Sequence, residues 1–265
     1  MGGSPTDILI RDGKIAEIGA NIAAEGVLVE DGGGLIALPG LVEAHTHLDK
    51  NLLGMGWRPH QAGPALIDKI ETERRLKHEW NIDPERQSAR QVVLSVAKGT
   101  TVIRSHVDID TEVGLTGFEG VAATRETYRD AVDIEIVAFP QSGLMSRPGT
   151  AELMETALEN GADLVGGLDP CSIDRDPKGQ LDTVFGFAEK FGKPIDIHLH
   201  EPGELGALSM EMILDRTRAH GMQGKVVISH AFCLGMPDRA RAQELTEQLA
   251  KERVHIATVA TASRP

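Results

Sequence analysis

The sequence predicts an α/β fold built on a parallel sheet, of a size that suits a (β/α)8 barrel of the TIM type. Three observations lead there. From about Leu35 onward, short apolar runs alternate with amphipathic stretches, the pattern of repeated βα units. Several of the runs are rich in Val and Ile, as strands buried on both faces are. The length of 265 residues is close to the ~250 of a single barrel.

The elements follow in order. Asp7 to Glu30 reads as a separate piece: Ile8-Leu9-Ile10 and Lys14-Ile15-Ala16-Glu17-Ile18 flank Asp12-Gly13, a strong hairpin signal, and Val27-Leu28-Val29 is expected as a third strand. A piece below about 40 residues rarely buries a core of its own, so this one is expected to pack against something else. Seven barrel strands are expected near 35–44, 100–107, 133–139, 163–168, 194–199, 225–230 and 254–260. Helices are expected near 84–98, 117–129, 150–160, 180–191, 205–219 and 237–251, with Thr150 as the N-cap of the helix through Leu153 and Leu158.

Composition narrows the partners. With 41% hydrophobic and 25% charged residues the chain has a globular composition, and no apolar stretch approaches the ~20 residues of a membrane span. Met1 to Pro5 shows neither the basic start nor the apolar stretch of a secretory leader, so a cytoplasmic location is expected. A net charge of −13 repels phosphate backbones and anionic lipid, which argues against nucleic acid polymers and membrane surfaces as partners. Cys171 and Cys233 form no Cys-x-x-Cys pattern and are read as reduced thiols. The missing Pro-Cys-x-x-Cys also excludes the zinc deaminases that use His-x-Glu with that cysteine pair. Neither a Gly-x-Ser-x-Gly elbow nor a phosphate-binding Gly-x-x-x-x-Gly-Lys loop is found.

Histidines carry the functional signal. His45 and His47 end the first apolar run, and residues at i and i+2 of a strand face the same way, which suits one metal ion. Other strand ends read Arg104-Ser105-His106-Val107-Asp108, Ile197-His198-Leu199-His200-Glu201 and Ile228-Ser229-His230. Barrel active sites lie at these carboxyl ends. His198 is favoured over His200 as a ligand because it is nearer the buried run from Pro194 to Ile197, a choice that geometry must decide. His230 follows an apolar strand and has no competing histidine. Glu201, three residues after His198, is placed to carry a proton to or from metal-activated water. Gln141, just after Phe139-Pro140, offers two hydrogen bonds to an amide-like ring edge. Asp49 is read as supporting the histidine pair or as a loop residue rather than as a ligand, while His60, His78, His220 and His255 are given no role.

Taken together, Leu38-Pro39-Gly40-Leu41-Val42-Glu43-Ala44-His45-Thr46-His47-Leu48-Asp49-Lys50, Arg104 to Asp108, Val137-Ala138-Phe139-Pro140-Gln141, Ile195 to His198 and Ser229-His230 resemble the amidohydrolase superfamily, in its cytosine deaminase-like branch. The resemblance runs from Asp7 to about Ala260. It implies a (β/α)8 barrel over 35–265 and makes 1–34 part of a small β-sandwich. It implies one divalent metal ion, Fe2+ or Zn2+, held by His45, His47 and His198 with an aspartate from strand eight. Glu201 would shuttle protons, His230 would assist the water or the metal, Gln141 would hold the pyrimidine edge, and Leu66 would line the pocket. The implied reaction is deamination of cytosine or a related amino-substituted heterocycle, by attack of metal-bound hydroxide on a ring carbon. Hydrolysis of an N-alkylamino-triazine or a cyclic amide on the same site is the alternative.

No counterpart of strand eight or its aspartate precedes Pro265, so the barrel is expected to be incomplete at the C-terminus. That suggests a fragment of a longer enzyme, a truncated product, or a member of a complex that completes the barrel. An alternative of another class is an inactive or self-assembling piece, since open sheet edges invite pairing with other copies and a homo-oligomer.

Overall fold

The computed structural model describes residues 6–23, 25–59 and 61–258; His60, and residues 259 and 260 of the seventh expected strand, lie outside them. The chain divides into two compact units, Met1–Pro39 and Gly40–Pro265.

In the first unit, β1 (Asp7–Arg11) pairs antiparallel with β2 (Lys14–Gly19). The turn between them places Asp12 at φ +51 and Gly13 at φ +71. Two successive left-handed residues make the type I′ turn, whose twist matches that of the flanking strands. Val27 to Val29, expected as a third strand, is not one, and Leu28 is 97% exposed. Among the described residues the sheet here has two strands, β1 and β2, and that segment pairs with neither.

The second unit carries β3 (Leu41–Thr46), β4 (Thr100–Asp108), β5 (Asp133–Phe139), β6 (Leu164–Leu168), β7 (Ile195–His198), β8 (Val226–Ser229) and β9 (His255–Ala257). These seven strands run parallel in sequential order and curl into a nearly closed barrel. The edge strands face one another across a cavity of about 420 Å³, lined by Val42 and Ala44 of β3 and by His255, Ile256 and Ala257 of β9. Helices α1 (Leu66–Glu79) and α2 (Pro84–Val96) lie between β3 and β4. After β4 to β8 come α3 (Thr116–Thr127), α4 (Thr150–Glu159), α5 (Pro177–Phe191), α6 (Gly203–Ala219) and α7 (Arg239–Lys251) in turn.

Strand alternation sorts the side chains. Ile195, Ile197, Ile228, Ile134 and Ile136 join one buried cluster with Val121, Met154, Val184, Leu214 and Leu245 of the helices. Each such side chain, fully buried, contributes about 1.5–3 kcal/mol. The residues between them, Asp196 and His198 on β7 and Arg104, His106 and Asp108 on β4, share the opposite face of the sheet.

Four differences from the sequence reading have physical causes. β3 begins at Leu41, not near 35, because Pro39 has no N–H to give a ladder and pairing with β4 starts at Leu41 opposite Thr100. Helix α1 was not expected: only Ile70 and Leu76 of its fourteen residues are buried, so it shows no apolar stripe. Gly149, not Thr150, is the N-cap of α4, and Thr150 is the first helical residue, with its hydroxyl buried and unpartnered. α5 begins at Pro177 rather than 180, because Asp176 accepts a hydrogen bond from the Gly179 N–H and proline suits the first helical position.

Candidate functional site

Parallel strands bring their carboxyl ends to one rim, and six histidines meet there. His45 ends β3 beside Thr46, His106 lies in β4, His198 ends β7, His200 follows it, His230 follows β8, and His47 follows β3. His45, His198 and His230 bring ligand nitrogens within 4.8 Å of one another. The His45 ring lies 4.7 Å from each of the other two, and those two are 4.9 Å apart. His47 stands 5.6 Å from His45 and 5.4 Å from His198, and its nitrogen groups with the carboxylates of Asp49 and Asp108. The strand stops at Thr46, so the i, i+2 alternation no longer governs where His47 points.

The choice between His198 and His200 now rests on partners. His200 Nδ1 lies 2.7 Å from Asp169, and its ring stacks on His230 at 4.4 Å. His198 is buried, stacks on Phe139 at 4.2 Å, and leaves both ring nitrogens without a partner. An unpartnered buried nitrogen costs free energy unless a ligand satisfies it. His230 sits at φ +74, followed by Ala231 at φ +49, and its Nδ1 is unpartnered too. Two consecutive left-handed residues without glycine are strained, and such strain concentrates at functional sites.

Burial keeps these rings neutral. It lowers His45 to about 3, with His106 adding to the effect, and lowers His230 to about 4, with His200 adding to it. Burial also holds His47 and His198 well below the usual histidine range. Neutral imidazoles keep the lone pair that ligation needs.

Next to His47 lies a buried charge network. Lys50 reaches Glu73 at 2.8 Å and Asp108 at 3.1 Å, and Lys77 of α1 also bonds Asp108. Although burial works against it, Lys50 and Lys77 hold Asp108 below the usual carboxylate range. Burial, then Asp108, pushes Asp49 up to about 7. Both ammonium groups thus lie against Asp108, with Glu73 as a further carboxylate beside them.

Glu201 is buried, and three donors fix its carboxylate: the Cys171 N–H at 2.8 Å, the Ser172 N–H at 2.6 Å and the Ser209 hydroxyl at 2.5 Å. Asp169 accepts the backbone N–H groups of His200 and Glu201, which ties that loop to the end of β6. Gln141 is partly buried just past β5. Leu66, the first residue of α1, packs with Ile70, Phe139 and Leu168, so it reaches the histidines through Phe139.

Several participants lacked a role in the sequence reading. His106 lies 4.3 Å from His45 and 4.4 Å from His198. Asp196 receives the Ser229 hydroxyl at 2.7 Å and lies 3.2 Å from Arg104, and His106, Ser229 and Arg104 together outweigh burial to hold it at about 2. Its signal was available: Asp196 is two residues before His198 and so shares its face.

The amidohydrolase family profile matches residues 28–264. The chain is 34% identical to N-isopropylammelide isopropyl amidohydrolase of Pseudomonas sp. (strain ADP), over 86% of this chain and 57% of that protein. It superposes on the crystal structure of N-isopropylammelide isopropylaminohydrolase from Burkholderia multivorans with a TM-score of 0.88 and 49% identity, covering 96% of this chain and 64% of that one. For 5-methylcytosine deaminase from Klebsiella pneumoniae, solved with 5-fluorocytosine, the TM-score is 0.78 and the identity 27%, over 95% of this chain and 61% of that one. The chain thus spans less than two thirds of the length of these relatives.

Proposed function

Because this chain belongs to the amidohydrolase family, we propose that it is the metal-binding part of a hydrolase that removes an exocyclic amine from a nitrogen heterocycle. One observation carries the reading: His198 is buried with both ring nitrogens unpartnered, in ligand reach of His45 and His230. Neutral imidazoles converging on unfilled nitrogens fit a single divalent ion such as Zn2+ or Fe2+. His47 lies close enough to complete or flank the set. When bound, the metal supplies a Lewis acid that brings the pKa of its water toward neutrality.

The chain's own groups do the rest. Glu201 takes a proton from the attacking water and returns it to the departing amine, its carboxylate held in place by Cys171, Ser172 and Ser209. His230 stays neutral, so it keeps a lone pair for the ion beside His45 and His198. Gln141 bonds the amide-like edge of the ring, while Phe139 and Leu66 form an apolar wall that excludes solvent.

Of the two ring classes, an N-alkylamino-triazine is favoured by the 49% identity to the isopropylaminohydrolase, against 27% to the deaminase acting on a pyrimidine. Deamination of a cytosine-like ring is the second reading. The test supplies the purified chain with Zn2+ or Fe2+ and follows isopropylamine from N-isopropylammelide and ammonia from cytosine. Amine release is expected. Ammonia release alone would move the assignment to the pyrimidine, and turnover of neither by metal-loaded chain would remove the hydrolase reading.

A further inference from the structure

We propose that Ser229 and Asp196 are positioning residues that set the tautomer of His45 and thereby present its Nε2 as the ligand nitrogen. The inference rests on the metal-site reading above and adds how one ligand is prepared. Ser229 Oγ lies 3.0 Å from His45 Nδ1 and 2.7 Å from Asp196 Oδ1. Both residues are fully buried, so no water competes for these contacts.

A hydroxyl has one proton, and a carboxylate beside a guanidinium has none to give. Arg104 Nη1 stands 3.2 Å from Asp196 Oδ2. Ser229 therefore directs its proton to Asp196, and its contact with His45 has a single polarity. His45 donates from Nδ1–H, and Ser229 accepts. A neutral imidazole protonated at Nδ1 keeps its lone pair on Nε2, the nitrogen then available to a ligand.

The fold builds this device into the strands that bear the other ligands. Asp196 shares a face of β7 with His198, and Ser229 is the register partner of His198 on β8. His106 Nε2 lies 3.3 Å from the same Asp196 oxygen. A hydrogen bond to the far nitrogen of a ligating histidine fixes ring and tautomer, and its loss typically weakens metal binding 10–100-fold.

Two variants separate this role from mere space filling. In D196N the amide oxygen turns to Arg104 and the NH2 group donates to Ser229. Ser229, no longer donating to residue 196, is then free to donate to His45 Nδ1, which would move the histidine proton to Nε2. An acid-to-amide exchange that imposes the wrong histidine tautomer is the same logic by which a triad loses activity. S229A leaves Nδ1 without its acceptor while keeping the Asp196–Arg104 pair, and it decides the matter if D196N fails to fold.

The experiment records long-range 1H–15N spectra of the metal-free chain labelled at histidine, and Zn2+ affinity by chelator competition. The parent chain is expected to carry the His45 proton on Nδ1. D196N is expected to carry it on Nε2, and both variants to bind Zn2+ about 10–100-fold more weakly. A parent His45 protonated at Nε2, or Zn2+ binding within twofold of the parent in the folded variants, overturns the proposal. An Nδ1–H parent that binds no Zn2+ overturns the metal-site reading instead and leaves the tautomer assignment standing.

Discussion

At the scale of single residues, the candidate site combines side chains that wait for a partner with side chains already fully engaged. His198 has two free nitrogens, whereas the Glu201 carboxylate has three donors. Exchanging Glu201 for Gln preserves shape and most of those hydrogen bonds but removes the proton carrier. We expect E201Q to keep its metal content and lose about 10²–10⁴ in kcat, measured as amine release beside metal analysis; undiminished turnover would contradict the role. His45, His198, His230 and Glu201 were visible in the sequence because each stands at the end of an apolar run. His106, Ser229 and Asp196 were less visible. Their importance depends on strand register and on distances across the barrel, which one sequence does not display.

At the scale of elements, the loop from β7 into α6 holds Glu201 against the helix that follows it. A Cβ at Gly206 would lie 2.0 Å from the Glu201 carbonyl oxygen and 2.8 Å from the Cys233 side chain. Neither backbone nor buried side chain has room to yield. G206A should cost about 1–3 kcal/mol and shift Glu201, lowering kcat while sparing metal binding; parental stability and rate would refute this close contact. Element positions were legible where burial imposes a pattern, as in β4 through β8. Helix α1 escaped notice because charged residues surround it and Lys77 anchors it through Asp108 rather than through an apolar stripe. Val27 to Val29 erred in the opposite direction, having strand-like composition without a neighbouring strand to pair with.

At the scale of the molecule, a barrel that gathers neutral imidazoles has a predictable response to acid. Unfolded, His45, His47, His198 and His230 take up protons near 6.5; folded, burial lowers all four, to about 3 for His45 and about 4 for His230. The unfolded state thus binds more protons below pH 6.5, and stability falls as pH falls. Asp49 runs the other way, since burial raises it to about 7 in the folded chain, so it releases one proton on unfolding near pH 5. Unfolding the metal-free chain at pH 5 should therefore take up protons net, seen as a melting temperature that drops steadily from pH 7 to pH 5. A flat profile would contradict it. The parallel order of the strands was foreseeable from alternating βα units, and the histidine rim from their carboxyl ends. The central claim is that these imidazoles hold one divalent ion, and metal stoichiometry after dialysis against Zn2+ tests it most directly. About one ion per chain is expected for the parent and none retained by H198A; no ion in the parent, or equal content in H198A, would contradict the claim.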